Sequence, residues 1–148
     1  CSSDLKQFYR SIQKLRLTIK ECETFESSTF SRIFENLGER SPLLEELYLR
    51  LGWSTGFKRI RSIDLIAEII AKNLSHINNL RVLDLYVTPN EMTFTAETLV
   101  DFLKSLQNRF LRKIAIQQIP RRTQSLPEET IYKALSRFAF LEEVSLRI

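Results

Sequence analysis

Apolar residues recur along the chain in one frame, Leu-x-x-Leu-x-Leu, usually with a further apolar position two residues on. The clearest copy is Leu80-Arg81-Val82-Leu83-Asp84-Leu85-Tyr86-Val87. The others are Ile12-x-x-Leu15-x-Leu17-x-Ile19, Leu44-x-x-Leu47-x-Leu49-x-Leu51, Leu111-x-x-Ile114-x-Ile116 and Leu141-x-x-Val144-x-Leu146-x-Ile148. Their first residues lie 32, 36, 31 and 30 positions apart, so the chain reads as five copies of one unit. Each copy alternates apolar and polar, as in Leu47-Tyr48-Leu49-Arg50-Leu51. Strict alternation predicts a strand with one buried face and one wet face.

Between the strands the period changes to that of a helix. Phe30, Ile33, Phe34 and Leu37 form one apolar stripe, and Ile66, Ile69, Ile70, Leu74 and Ile77 a second. Leu99, Phe102, Leu103 and Leu106 give a third, and Ile131, Leu135 and Phe138 a fourth. Helix starts are expected at Ser62 with Asp64, at Thr95 with Glu97, and at Ser125 with Pro127 and Glu128. Leu5, Phe8, Tyr9 and Ile12 predict a helix leading into the first strand. Strands should end before Pro89 and Pro120, where a backbone donor is missing.

Alternating strand and helix demands parallel strands joined by crossovers. Two architectures satisfy this. A doubly wound sheet is covered on both faces, and its strands read as continuous apolar runs. Here every strand carries polar residues on one side, such as Arg50, Asp84, Gln117 and Arg147. One face is therefore expected to meet solvent, which favours an α/β solenoid: a right-handed stack of about five parallel strands on the concave side, helices on the convex side.

These motifs resemble those of the leucine-rich repeat family, over nearly the whole chain. The long, helix-containing period is similar to its ribonuclease-inhibitor-like and F-box-associated branches. Members of the family usually close the motif with Asn or Cys; the matching residues are Lys20, Gly52, Thr88 and Ile119, so the turns leaving the strands are expected to be irregular. The polar strand face, the missing catalytic constellation and the motif that ends at Ile148 lead us to expect a protein-recognition module, a receptor, adaptor or assembly subunit. The resemblance also admits a GTPase activator by fold analogy alone. The last motif runs to Ile148, which suggests one domain over residues 1–148 that is a segment of a longer array or is covered there by a partner.

Composition changes this picture little. With 148 residues, 43% of them hydrophobic, the chain can build a core. Its longest apolar runs are short, as in Ile69-Ile70-Ala71, so no membrane span is expected. Cys1 and Cys22 with His76 cannot complete a four-ligand zinc site. Free thiols in a reducing, intracellular or cytoplasmic setting are the plain reading. Cys1-Ser2-Ser3 also matches the start of a lipid-modified bacterial lipoprotein. The net charge of +4 permits an acidic partner without demanding one.

Candidate chemistry lies on the wet strand face. One column reads Arg16, Tyr48, Asp84, Ala115, Ser145; the next reads Thr18, Arg50, Tyr86, Gln117, Arg147. Tyr and Arg combine large contact area with directional hydrogen bonds, so Arg16, Tyr48, Arg50, Asp84, Tyr86, Gln117 and Arg147 are the expected partner-binding residues. Asp84 has a structural alternative, an ion pair with Arg50 across strands. Trp53 and Phe57, in the glycine-flanked stretch after the second strand, are either partner anchors or a cover for the helix–strand seam. Basic clusters at Lys58-Arg59-Arg61, Arg109-Arg112-Lys113 and Arg121-Arg122 would serve nucleic acid only if they merged into one stripe. No glycine-rich phosphate loop or Gly-x-Ser-x-Gly elbow is present, and His76 is expected to cap a helix rather than catalyse. The expectation is a non-enzyme without cofactor, metal or small-molecule substrate.

Overall fold

The computed structural model describes residues 11–20, 27–52, 63–88, 95–118 and 126–148. Five strands alternate with four helices: β1 (Lys14–Lys20), α1 (Ser27–Arg40), β2 (Glu46–Gly52), α2 (Ile63–Leu74), β3 (Val82–Thr88), α3 (Ala96–Ser105), β4 (Lys113–Gln118), α4 (Glu128–Leu135) and β5 (Glu143–Arg147). The fold is α/β with one five-stranded sheet in the order β1-β2-β3-β4-β5. All pairings are parallel, as consecutive crossovers require.

The register reproduces the sequence repeat residue for residue. Leu15, Leu47, Leu83, Ile114 and Val144 face one another in turn, as do Leu17, Leu49, Leu85, Ile116 and Leu146. A slip of one residue would turn these apolar rows to water, so their burial fixes the register. The turn into each later strand is also shared: the amides of Leu44, Leu80, Leu111 and Leu141 donate to the carbonyls of Ser41, Ile77, Asn108 and Phe138. The next amides, of Glu45, Arg81, Arg112 and Glu142, donate to Gln13, Glu45, Arg81 and Arg112 and so lengthen the ladder.

One face of the sheet and the apolar stripes of the helices make a single core. Leu47, Leu49 and Leu51 join Ile33, Phe34 and Leu37 of α1 and Ala67, Ile70, Ala71 and Leu74 of α2. Leu83, Leu85 and Val87 join Leu99, Val100, Phe102 and Leu103 of α3. Ile131, Ala134 and Leu135 of α4 complete it beside Ile114 and Ile116. Helices touch in sequence, α1 on α2, α2 on α3 and α3 on α4. Gly38 permits the first of these contacts, since a Cβ there would lie 3.3 Å from the Asn73 carbonyl oxygen. Burial lessens towards the sheet edges: Leu15 and Leu17 on β1 and Leu146 on β5 are half-buried, and Val144 is 41% exposed. Among the described residues the outward row contributes nothing to this core.

The helix termini correct one expectation. Thr95 caps α3 as expected, its Oγ1 accepting from the Thr98 amide at 3.1 Å, with Glu97 in the first turn. At α4, which starts at Glu128 as expected, the N-cap position is held by Pro127, which makes no side-chain cap, and Ser125 lies outside the described residues. Nor does the His76 side chain cap α2. It is exposed beyond the helix end, where the His76 amide donates to the Asn73 carbonyl at 3.3 Å and further donors come from the following unit. Asn108, 2% exposed, donates its Nδ2 to the carbonyls of Leu74 at 2.7 Å and Ile77 at 3.0 Å. Arg137 repeats the device one unit on, with Nη2 donating to Leu103 at 2.6 Å and Leu106 at 3.0 Å. Each unit thus adds donors to carbonyls at the C-terminal end of the preceding helix and in the turn after it. The strands β3 and β4 stop at Thr88 and Gln118, next to the expected prolines. Residues 5–9, the two cysteines, Ser62, Trp53 and Phe57 lie outside the described residues.

Candidate binding face

Alternation sends every second strand residue away from the core, and the parallel register lines these residues up across the strands. Three columns run across all five strands. Nearest the N-terminal ends stand Lys14, Glu46, Val82, Lys113 and Glu143; in the middle Arg16, Tyr48, Asp84, Ala115 and Ser145; towards the C-terminal ends Thr18, Arg50, Tyr86, Gln117 and Arg147, beyond which Lys20, Gly52 and Thr88 pair on the first three strands alone. Arg16, Arg50 and Arg147 are exposed, whereas Tyr48, Asp84, Tyr86 and Gln117 are half-buried between neighbours. Seven of the nine residues expected to bind a partner therefore share one surface, and Trp53 and Phe57 fall outside the described residues.

The tyrosines are held by cations from the preceding strand. The Arg16 guanidinium lies 4.6 Å from the centre of the Tyr48 ring, and the Lys14 ammonium 5.5 Å from it. The same relation recurs one strand further on, where Arg50 sits 5.3 Å from the centre of the Tyr86 ring. Each arginine and its tyrosine are direct register partners. Such contacts contribute about 0.5–1 kcal/mol at exposed sites, and they orient the guanidinium without cancelling its charge. Tyr48 is fixed at its other end by a hydrogen bond from its hydroxyl to Glu46 Oε1 at 2.9 Å. Partial burial, followed by the Glu46 hydrogen bond and charge, raises the Tyr48 pKa above 10.0, while Arg16 pulls the other way.

Asp84 does not pair with Arg50. The register sets Asp84 opposite Tyr48 and Ala115, one outward step from the Arg50 column, and Arg50 rests on Tyr86 instead. The ion pair found among the described residues of this face joins Lys113 to Glu143 at 3.9 Å. It lies in the N-terminal column, so the acids of the face, Asp84 apart, are concentrated at that end.

Arg109 and Arg112 are exposed in the turn before β4, while the other two basic clusters lie outside the described residues. Sequence reading missed Phe110 and Phe140, which are 49% and 51% exposed and stack at 5.7 Å between ring centres. Their signal was their place, each directly ahead of the first leucine of a motif. It also missed Asn108 and Arg137, which hold units together. On the helix side a shallow groove of about 420 Å³ runs past Lys104, Glu129, Lys133 and Arg137, but the Arg137 guanidinium there is committed to helix carbonyls. No helix among the described residues is long and apolar enough to cross a membrane. A scan of family models and a search of curated proteins find no match for the chain.

Proposed function

We propose that this chain is a leucine-rich-repeat solenoid module that recognises a protein partner on its outward, concave strand face. It acts as a receptor, adaptor or assembly subunit of the intracellular or cytoplasmic compartment, without catalysis of its own. One observation carries the reading: arginine–tyrosine pairs, repeated in register on neighbouring strands, stand on the outward side of the sheet. Large amphipathic side chains held in place before contact lower the ordering cost of association. Arg16, Tyr48, Arg50, Asp84, Tyr86, Gln117 and Arg147 form the contact surface. Right-handed crossovers, the rule for parallel strands, would place all helices on the other side.

The test compares partners captured by three forms of the chain. These are the wild type, a face variant (Arg50→Glu, Tyr86→Ala, Arg147→Glu) and a helix-side variant (Glu68→Lys, Lys72→Glu). A partner retained by the wild type and the helix-side variant and lost by the face variant supports the reading. Equal capture by all three, with unchanged circular dichroism, overturns it.

A further inference from the structure

The three outward columns differ in charge in a way that specifies the ligand. In the N-terminal column Glu143 faces Lys113 at 3.9 Å, and Glu46 accepts the Tyr48 hydroxyl at 2.9 Å. In the middle column Asp84 stands between Tyr48 and Ala115. The C-terminal column, Thr18, Arg50, Tyr86, Gln117 and Arg147, holds two arginines and no acid. Both arginines are exposed, and among the described residues neither has a carboxylate within 4.0 Å. Arg50 is braced against the Tyr86 ring, so its fork is oriented while its charge stays available.

Spacing completes the specification. Arg50 is on β2 and Arg147 on β5, with Tyr86 and Gln117 on the strands between. Neighbouring strands lie about 4.8 Å apart, which puts the two arginines roughly 14 Å apart across the sheet. An extended peptide rises about 3.4 Å per residue, so carboxylates four positions apart match that distance. The intervening residues would then pass over the edge of the Tyr86 ring and the Gln117 amide, a flat contact plus a donor and an acceptor.

We propose that this C-terminal column binds an extended acidic peptide segment lying across the strands, with two carboxylates four residues apart engaging Arg50 and Arg147. The proposal rests on the reading of the face as a protein-recognition surface and adds the chemistry of the partner. Nucleic acid fits less well. Tight phosphate binding gathers many cations along one track, whereas Glu46, Asp84 and Glu143 break up the rest of this face.

The probes are fluorescein-labelled Gly/Ser/Leu peptides with two glutamates one, four or seven positions apart, a matching lysine peptide, and a single-stranded oligothymidine. Binding is read by fluorescence anisotropy on the full chain. The four-apart glutamate peptide is expected to bind about tenfold more tightly than the other spacings, since each charge-assisted contact corresponds to roughly a tenfold factor or more. Arg147→Glu should lower its affinity about tenfold, and Arg50→Glu with Arg147→Glu should switch the preference to the lysine peptide. Both positions are exposed, and thermal melts check that each variant is folded. No dependence on spacing, no effect of charge reversal, or no saturable binding up to millimolar peptide overturns the proposal. So does tighter binding of the oligothymidine with a steep salt dependence. If the face variant loses its protein partner while the glutamate peptides show no preference, the acidic-peptide inference fails and the face reading stands. If all capture survives the face variant, that reading fails as well.

Discussion

Replacing Asn108 tests whether side chains reaching back to the preceding helix hold the units together. Its Nδ2 donates to Leu74 and Ile77 carbonyls that also accept backbone amides, those of Ile77 and Leu80 respectively. Asn108→Ala therefore removes two hydrogen bonds without stranding either carbonyl, at about 0.5–1.5 kcal/mol each. The Asn108 Oδ1 is buried without a partner, and its removal offsets part of that loss. The expected net destabilisation is therefore below the roughly 1–3 kcal/mol of the two bonds together, about 0.5–2.5 kcal/mol, read as a lower urea midpoint at constant slope. Asn108→Leu keeps the volume but not the donors and should lose a similar amount. Asn108→Asp aims a carboxylate at two carbonyl oxygens and should be worse near neutral pH. The cost of leaving a buried charge uncompensated is about 3–5 kcal/mol. Burial among acceptors would raise that carboxyl's pKa in the fold above its unfolded value of about 3.9. Relative to Asn108→Ala, the Asp variant should recover at low pH and weaken as pH rises through the raised pKa. A change below about 0.5 kcal/mol in both the Ala and Leu variants, against the 0.5–1.5 kcal/mol expected per bond, would refute the reasoning.

Arg137→Met should lower stability by about 1 kcal/mol in the same assay, discounted because the side chain is largely exposed. A neutral result would mean that its two contacts to α3 carbonyls are incidental. Leu83 is 0% exposed in the central strand, so Leu83→Ala should cost about 2–5 kcal/mol; Val144, 41% exposed on β5, should lose under about 1 kcal/mol when cut to Ala. Equal losses at the two sites would contradict the burial gradient. Tyr48 should titrate later than an ordinary tyrosine, seen as tyrosinate absorbance that disappears in Tyr48→Phe and shifts down in Glu46→Gln. Because the folded pKa is the higher one, its contribution to stability is complete below pH 10.0 and falls as pH rises through the folded value. A normal titration midpoint would mean that Glu46 does not hold the hydroxyl.

The strands and helices were legible because period is a local property. Leu47-Tyr48-Leu49-Arg50-Leu51 states its strand and its two faces within five residues, and it lies inside β2. Ile33, Phe34 and Leu37 likewise state the buried stripe of α1. Helix ends were less legible. Ile77 and Phe138 continue their stripes past the last helical residues, Leu74 and Leu135, since turn residues also face the core. The backward reach of Asn108 and Arg137 was invisible for another reason: its partners are 31 and 34 residues away, and no spacing rule for a single helix covers that distance.

The binding face was legible as a list and not as a set of contacts. Opposite charge alone suggests that Arg50 meets Asp84, yet the register gives Arg50 a ring for its neighbour. This difference alters the chemistry. An arginine paired with an aspartate would present a closed, neutral contact, and a partner would have to break it. An arginine on a tyrosine keeps its charge and its planar fork while losing rotamer freedom beforehand. Because the register makes the same arrangement between β1 and β2 as between β2 and β3, the cations are spaced by the sheet itself. A ligand that matches that spacing meets charges already in place, which is why separation of its acids, and not their number alone, should set affinity.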